Sequence, residues 1–397
     1  MKHSLPRAHR DAHLDALRAV AALMVIWMHV AQVFVELDPR AASEGAWLWD
    51  VSYYFDFGRI GVLIFFLISG FLIPSSLNGE RLAGAKAFVI RRFFRLYPAF
   101  WLSIPLALVT CWWLYDKTIA GWEIAANVTM LQELFGARSL EGLYWTLQLE
   151  LYFYALCLML FLLRLLDSEK VLVLLAVGLL PADVLFQVVV LQQKANLWAL
   201  PGSNAAFLSF MFAGALWRRA NDGTLSRFGK AALAGMTLMF GVLFPLFALS
   251  LYLKNGALHP DHAKMFFGYP LATWLFIGGI TRFRISWRPL AWMGKISYSM
   301  YLLHPVVFFT MFWWVVQYPD GHWLRSQHLI VYLVVAILLI TALSALAYEM
   351  VEKPMIAFGK RLSAPAGAGT AFADDVIGSP SIEAEADDQK RRMTPGV

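Results

Sequence analysis

The sequence predicts an all-α, polytopic membrane protein with about ten transmembrane helices and both termini in the cytoplasm. Three observations carry this expectation. Hydrophobic residues make up 59% of the 397 and charged residues only 15%, against about 25% charged in a soluble domain. The mean hydropathy is +0.59. Apolar runs near the ~20 residues that cross a bilayer recur along the chain, and the connections between them alternate in charge.

Spans are expected at 14–35, 58–77, 97–115, 143–163, 170–190, 204–217, 231–253, 265–281, 297–316 and 329–351. Even-numbered connections are basic. Arg81, Lys86, Arg91, Arg92 and Arg95 face only Glu80; Arg218, Arg219, Arg227 and Lys230 outnumber Asp222; Arg282, Arg284, Arg288 and Lys295 are unopposed. The early odd-numbered connections are acidic, with Glu36, Asp38, Glu44, Asp50 and Asp56 against Arg40 and Arg59. The next holds Asp116, Glu123, Glu133 and Glu141 against Lys117 and Arg138. The connection at 164–170 is balanced. Basic loops stay inside, which places both termini of a multi-pass protein in the cytoplasm; the location expected is the inner cell membrane.

The first apolar run is too long for a signal-peptide core and lacks a small-residue cleavage site, so it reads as a retained helix. Cys111 and Cys157 lie in apolar stretches, which suggests neither a disulfide framework nor a zinc cluster. Residues 1–361 read as one membrane-embedded unit. The stretch 362–397, rich in Ala, Gly, Pro and acidic residues, reads as a disordered cytoplasmic tail. Any chemistry is therefore expected inside the membrane unit, with no metal and no nucleic-acid partner.

The first span, LDALRAVAALMVIWMHVAQVFV, carries Asp15, Arg18 and His29. Charges in a spanning helix are expensive and face a protein interior or a wet cavity. Eleven residues separate Arg18 from His29, so both share one helix face about 16 Å apart. Ala22 and Val25 lie between them and leave room for something slender. In the second span Ser69 and Gly70 fall near mid-membrane; Gly70 serves either a close backbone approach or a packing notch. The cluster KAFVIRRFFRLYP follows, with Arg91, Arg92 and Arg95 on one flank and Tyr97 above them. Positive-inside anchoring accounts for one or two of these arginines; three guanidiniums among aromatics also suit a phosphate-bearing ligand.

The fourth span carries Gln148 and Glu150. Counted from the ends of their helices, Glu150 and His29 both lie about 9–10 Å in from the outer surface. That level predicts a base–orienter pair, the carboxylate holding the imidazole; a buried pair that only fixes helix packing is the other reading. Asp183 lines the cavity or sits near the surface. His259 and His262 read as a solvated loop. Ser297, Tyr301 and His304 share one face of the ninth span, starting at the cytoplasmic surface and reaching about 10 Å inward. Polar groups thus fall into two storeys, a basic cytoplasmic mouth and a deeper His–Glu level.

Several of these stretches, taken in order, resemble the acyltransferase-3 family of integral membrane O-acyltransferases: Arg18 and His29 in an R-x10-H pattern, FFLISGF at 65–71, RRFFRLYP at 91–98, WTLQLE at 145–150, SYSMYLLHP at 297–305 and VEKP at 351–354. The resemblance covers roughly residues 10 to 360. It implies a ten-helix membrane fold and transfer of an acyl group, most often acetyl from acetyl-CoA, to a hydroxyl of a cell-surface or secreted carbohydrate, including lipid-linked acceptors. It also implies that His29 is catalytic and that Arg18, Arg92 and Arg95 act through the donor. Ala16 and Ala19 stand where relatives often have glycine, and the chain resembles the members without a fused periplasmic hydrolase-like domain.

On this layout Arg18, Arg91, Arg92 and Arg95 meet the CoA phosphates. Tyr97, Ser69, Ser297, Tyr301 and His304 line the donor path, and the pantetheine arm follows the Arg18–His29 groove. His29 then either takes the proton of an attacking hydroxyl, oriented by Glu150, or is itself acylated first. A transporter of anionic solutes or polysaccharide precursors is the rival class. It predicts internal repeats and paired interrupted helices, and the sequence displays neither.

Overall fold

The protein is described by a computed structural model over residues 7–37, 44–189, 203–255 and 264–364. The expectations for Asp38, Arg40, His259, His262 and the tail from residue 365 lie outside these residues. Among the described residues there is no strand. In chain order the helices are α1 (Arg7–Gln32), prolonged by a π turn at Val33–Leu37, α2 (Trp47–Tyr54), α3 (Phe57–Ser76) and α4 (Arg81–Ala107), which runs on to Tyr115. They continue with α5 (Gly121–Val128), α6 (Tyr144–Leu162), α7 (Glu169–Val189), α8 (Asn204–Asn221), and α9 (Arg227–Leu238) leading into α10 (Phe244–Asn255). The last are α11 (Tyr269–Thr281), α12 (Arg288–Lys295), α13 (Ser297–Val316), α14 (Leu329–Ala347) and α15 (Lys353–Leu362).

Each expected span falls on one of these helices or helix pairs. Seven segments are long and apolar enough to cross a membrane: Ala12–Leu37, Phe57–Ser76, Arg81–Tyr115, Tyr144–Leu162, Arg227–Lys254, Ser297–Val316 and Leu329–Leu362. Of the other three expected spans, 170–190 runs past the described residues, α8 carries Arg218 and Arg219 in its last turn, and Phe266–Thr281 is shorter. The outside of the bundle is apolar. On α14, Tyr332, Leu333, Ala336 and Ile340 are buried, while Leu338, Leu339 and Leu346 face outward. A helix that is apolar all round is one whose outer face meets lipid.

Helix α3 stands at the centre, packed by α1, α8 and α11. It enters at Asp56, held in the left-handed region at φ 52° while its carboxylate caps the Arg59 amide and pairs with Arg59 Nε at 3.0 Å. Its mostly apolar body packs through small residues. A Cβ on Gly70 would lie 1.8 Å from the Met211 carbonyl oxygen of α8, and one on Gly61 would lie 2.5 Å from the Ala21 carbonyl oxygen of α1. Gly70 therefore sits at a close backbone approach, the arrangement small residues permit between membrane helices. Because Met211 contributes backbone rather than a movable side chain, Gly70→Val should abolish most folded, monodisperse protein in detergent. Gly121→Ala, with open space around it, should leave the yield unchanged; equal yields from size-exclusion chromatography would overturn the assignment.

The connection 116–143, expected as an outer loop, is a folded hairpin lying back along α4. Trp112 Nε1 donates to Leu140 O at 2.9 Å, Trp101 Nε1 to Val128 O at 3.0 Å, and Tyr97 OH to Thr129 O at 3.0 Å. Two arms are clamped by Arg138, whose Nε and Nη2 each donate at 2.8 Å to Glu123. That pairing holds the Glu123 carboxyl down at about 2. Buried Asn127 ties the same arms through Glu123 O, Arg138 O and Leu140 N. Single-sequence charge counting could not anticipate this, because the arms hold each other by contacts between residues far apart in sequence.

Candidate active site

Among the described residues, two cavities in the bundle hold the polar residues of interest. The larger, about 620 Å³, opens at the basic end and is lined by Arg18, Arg92, Arg95, Lys360, Glu150 and Tyr298 among others. The smaller, about 370 Å³, lies toward the opposite end and contains His29, Gln32, Trp112, Glu141 and Phe308.

Local sequence explains how the basic cavity is furnished. Arg92 and Arg95, three residues apart on α4, face inward on neighbouring turns. Arg95 Nη1 pairs with Glu352 at 2.8 Å, and Glu352, fully buried, also accepts from Ser299 Oγ at 2.8 Å. Arg18 Nη1 pairs with Asp15 at 2.8 Å. Arg92 makes one hydrogen bond, Nη2 to Ser76 Oγ at 3.1 Å, and lies over the rings of Phe88 and Tyr154. Among the described residues neither Arg92 nor Lys360 has a carboxylate partner. Two cations without an ion-pair partner at a deep cavity suit a phosphate-bearing ligand.

Ser69, Ser297 and Tyr301 line this cavity as the sequence led us to expect. Arg91 and Tyr97 do not. Arg91 is exposed below the mouth, and Tyr97 is taken by Thr129 of the hairpin and stacked on Phe93. Lys360, Ser76 and Tyr154 were missed. The basic, amphipathic segment KPMIAFGKRL after VEKP was the available signal for Lys360: it forms α15, which packs on α4 where Gly359 meets Phe94.

The expected pairing of His29 with Glu150 is absent. Glu150 Oε1 accepts from Tyr154 OH at 2.6 Å and from Ser69 Oγ at 3.1 Å, inside the basic cavity. The depth count failed because the helices do not start at one level. Met28, beside His29, touches Gly58 near the start of α3. Ser69 lies eleven residues further along α3, so Glu150 is about 16 Å away in depth, near the level of Arg18. Helix α6 itself begins low, with Tyr144 OH on Ser103 of α4 at 2.8 Å.

His29 instead meets His304, which had been placed in the basic mouth. His29 Nδ1 lies 2.9 Å from His304 Nε2, with the ring planes 3° apart. His304 Nδ1 lies 2.7 Å from the Tyr301 carbonyl oxygen. A carbonyl accepts only, so His304 Nδ1 carries the hydrogen and its Nε2 presents a lone pair. His29 Nδ1 must then donate, which leaves His29 Nε2 as a lone pair with no hydrogen-bond partner among the described residues. A chain from carbonyl to imidazole to imidazole thus leaves the second ring able to accept a proton. His304 is fully buried; His29 is half-buried and borders the smaller cavity. Between the two cavities, Tyr301 OH meets Thr146 Oγ1 at 2.7 Å and donates to Leu143 O at 3.3 Å. Tyr301 and Thr146 line the larger cavity and Leu143 the smaller.

The family model described as an acyltransferase domain, acyltransferase-3, matches residues 11–349. Among curated proteins the chain is similar to nodulation protein 10 of Rhizobium leguminosarum bv. viciae, 31% identical over 166 residues, covering 37% of this chain and 42% of that one. It is also similar to a putative acetyltransferase, ORF330, of Acidianus two-tailed virus, 25% identical over 186 residues, covering 47% of this chain and 50% of that one. A third relative is acyltransferase MdmB of Streptomyces mycarofaciens, 29% identical over 119 residues, covering 30% and 29%. The alignments span half or less of each relative. No solved structure matches the chain. The family match takes in both cavities' first-span residues, Arg18 and His29, and runs on past His304, so the chain belongs to the acyltransferase-3 family.

Proposed function

We propose that the protein is a ten-span membrane O-acyltransferase of the inner cell membrane. It takes an acyl group, acetyl first among them, from cytosolic acyl-CoA to a hydroxyl of a carbohydrate acceptor, free or lipid-linked. The observation that carries this reading is the unpartnered Nε2 of His29, which borders one cavity while a basic cavity lies on the other side of Tyr301. Family membership supports the reaction class. In this reading the basic end is cytoplasmic, residues 1–361 form the catalytic unit, and the tail stays in the cytoplasm.

The chemistry follows from the imidazole chain. Arg92 and Lys360 bind the CoA phosphates, with Arg18 and Arg95 adding positive field. The pantetheine arm runs up the cavity, and the thioester reaches His29 when Tyr301 swings its hydroxyl off Thr146. His29 Nε2 takes the proton of the acceptor hydroxyl as its oxygen bonds to the acyl carbon. The C–S bond then breaks, and the imidazolium returns the proton to the departing thiolate. His304 stabilises the charged ring through Nδ1. Glu150, held by Ser69 and Tyr154, polarises the donor path rather than the base.

The test is donor binding. Arg92→Ala removes a charge-assisted hydrogen bond worth about 1.5–3 kcal/mol, or roughly tenfold to a hundredfold in affinity. Acetyl-CoA binding to the protein in lipid nanodiscs should weaken by that factor. Donor affinity equal to wild type would overturn the assignment of the basic cavity.

A further inference from the structure

Glu141 precedes α6 at the wall of the smaller cavity and is only 3% exposed. Neither of its carboxyl oxygens has a hydrogen-bond partner among the described residues. A carboxyl group buried without a partner is costly, and burial pushes this one well above the usual carboxylate range, which favours the neutral acid. A protonated carboxyl both donates and accepts hydrogen bonds. Across the same cavity stands His29. Trp112 forms a fixed wall, its Nε1 bonded to Leu140 O and Arg138 lying over one ring face at 5.1 Å. Lys117, also at the cavity, disfavours a cationic occupant. A group that both donates and accepts, as a hydroxyl does, matches a protonated carboxyl.

We propose that this cavity is the acceptor subsite and that Glu141 binds a hydroxyl of a neutral sugar ring beside His29, with Trp112 as the ring's platform. The inference rests on His29 being the base in acyl transfer. It adds the residue that selects the acceptor, which no motif in the chain marks. A turn of the buried Glu141 side chain toward the cavity lets its two oxygens exchange one donor and one acceptor with a sugar hydroxyl, which positions a neighbouring hydroxyl beside His29. Aromatic walls from Trp112 and Phe308 suit the apolar face of a pyranose.

The test uses full-length protein in lipid nanodiscs, with acetyl-CoA as donor and three neutral probes: methyl β-D-glucoside, methyl β-D-galactoside and methyl N-acetyl-β-D-glucosaminide. Wild type should acetylate at least one probe with saturation. Glu141→Ala should raise the KM for that probe at least tenfold while the acetyl-CoA Kd stays within twofold, which also shows that the variant is folded. Glu141→Gln, which keeps one donor and one acceptor, should stay within about threefold of wild type. An unchanged probe KM in Glu141→Ala overturns the proposal. So does a wild type that consumes acetyl-CoA with no saturable dependence on any probe, which leaves the donor half of the function intact. A wild type that neither binds nor consumes acetyl-CoA fails earlier, at the acyltransferase reading, and takes the subsite with it.

Discussion

His29→Ala is expected to cut acyl transfer by about 10²–10⁴-fold, the range that a general base contributes, while acetyl-CoA still binds. His29 Nε2 is the free lone pair at the end of the chain Tyr301 O, His304, His29; no other described imidazole borders the smaller cavity. In the proposed mechanism His304 acts through His29, as a positioning residue. His304→Ala leaves His29 Nδ1–H without an acceptor and allows the other tautomer, so turnover should fall and the acidic limb of its pH profile should move. His304→Gln offers an amide oxygen to His29 Nδ1–H and should restore part of the rate. A structural role alone would not shift the pH profile. Near-normal turnover in His29→Ala would remove the base from the mechanism.

Arg95→Ala should cost the most stability of any single change at the basic cavity. Glu352 is fully buried, and Arg95 is its ion-pair partner at 2.8 Å. Removing one member of a buried pair leaves an uncompensated charge, typically costing about 3–5 kcal/mol. The variant should therefore unfold well below wild type in a thermal assay and bind acetyl-CoA weakly. Glu352→Gln in the same chain removes the stranded carboxylate while keeping a partner for Ser299 Oγ, so the double variant should recover most of the stability. Donor affinity should not recover, because the cation remains missing. If the double variant binds acetyl-CoA as wild type does, Arg95 serves only to neutralise Glu352.

Residue type and spacing made much of this legible. The helical class followed from apolar runs, and Arg18, Arg92, Arg95, Ser69, Ser297 and Tyr301 do share one cavity. The side-chain partners were less accessible. Counting residues from the end of an apolar run presumes that all helices begin at one plane and run along the membrane normal, whereas tilt and register are set by neighbours. Hence Glu150 was placed beside His29 when it lies with Ser69, and His304 was placed with the arginines when it lies against His29. Glu141 was counted only as a loop charge, because burial of a residue just before a helix depends on how the hairpin 116–143 folds back. No local pattern encodes that.

The hydroxyl of Tyr301, bonded to Thr146 and Leu143, also bears on how the cell keeps its ion gradients. In the proposed orientation the two cavities reach inward from opposite surfaces, and Tyr301 stands between them with Thr146 and Leu143. Proteins that pass small solutes open such a septum by moving whole helices. In the proposed mechanism one side chain turns, and the pantetheine arm that displaces it would fill the gap it leaves. Stopper and cargo would then exchange places, and an acyl group would cross the electrical barrier without opening a path for protons or sodium.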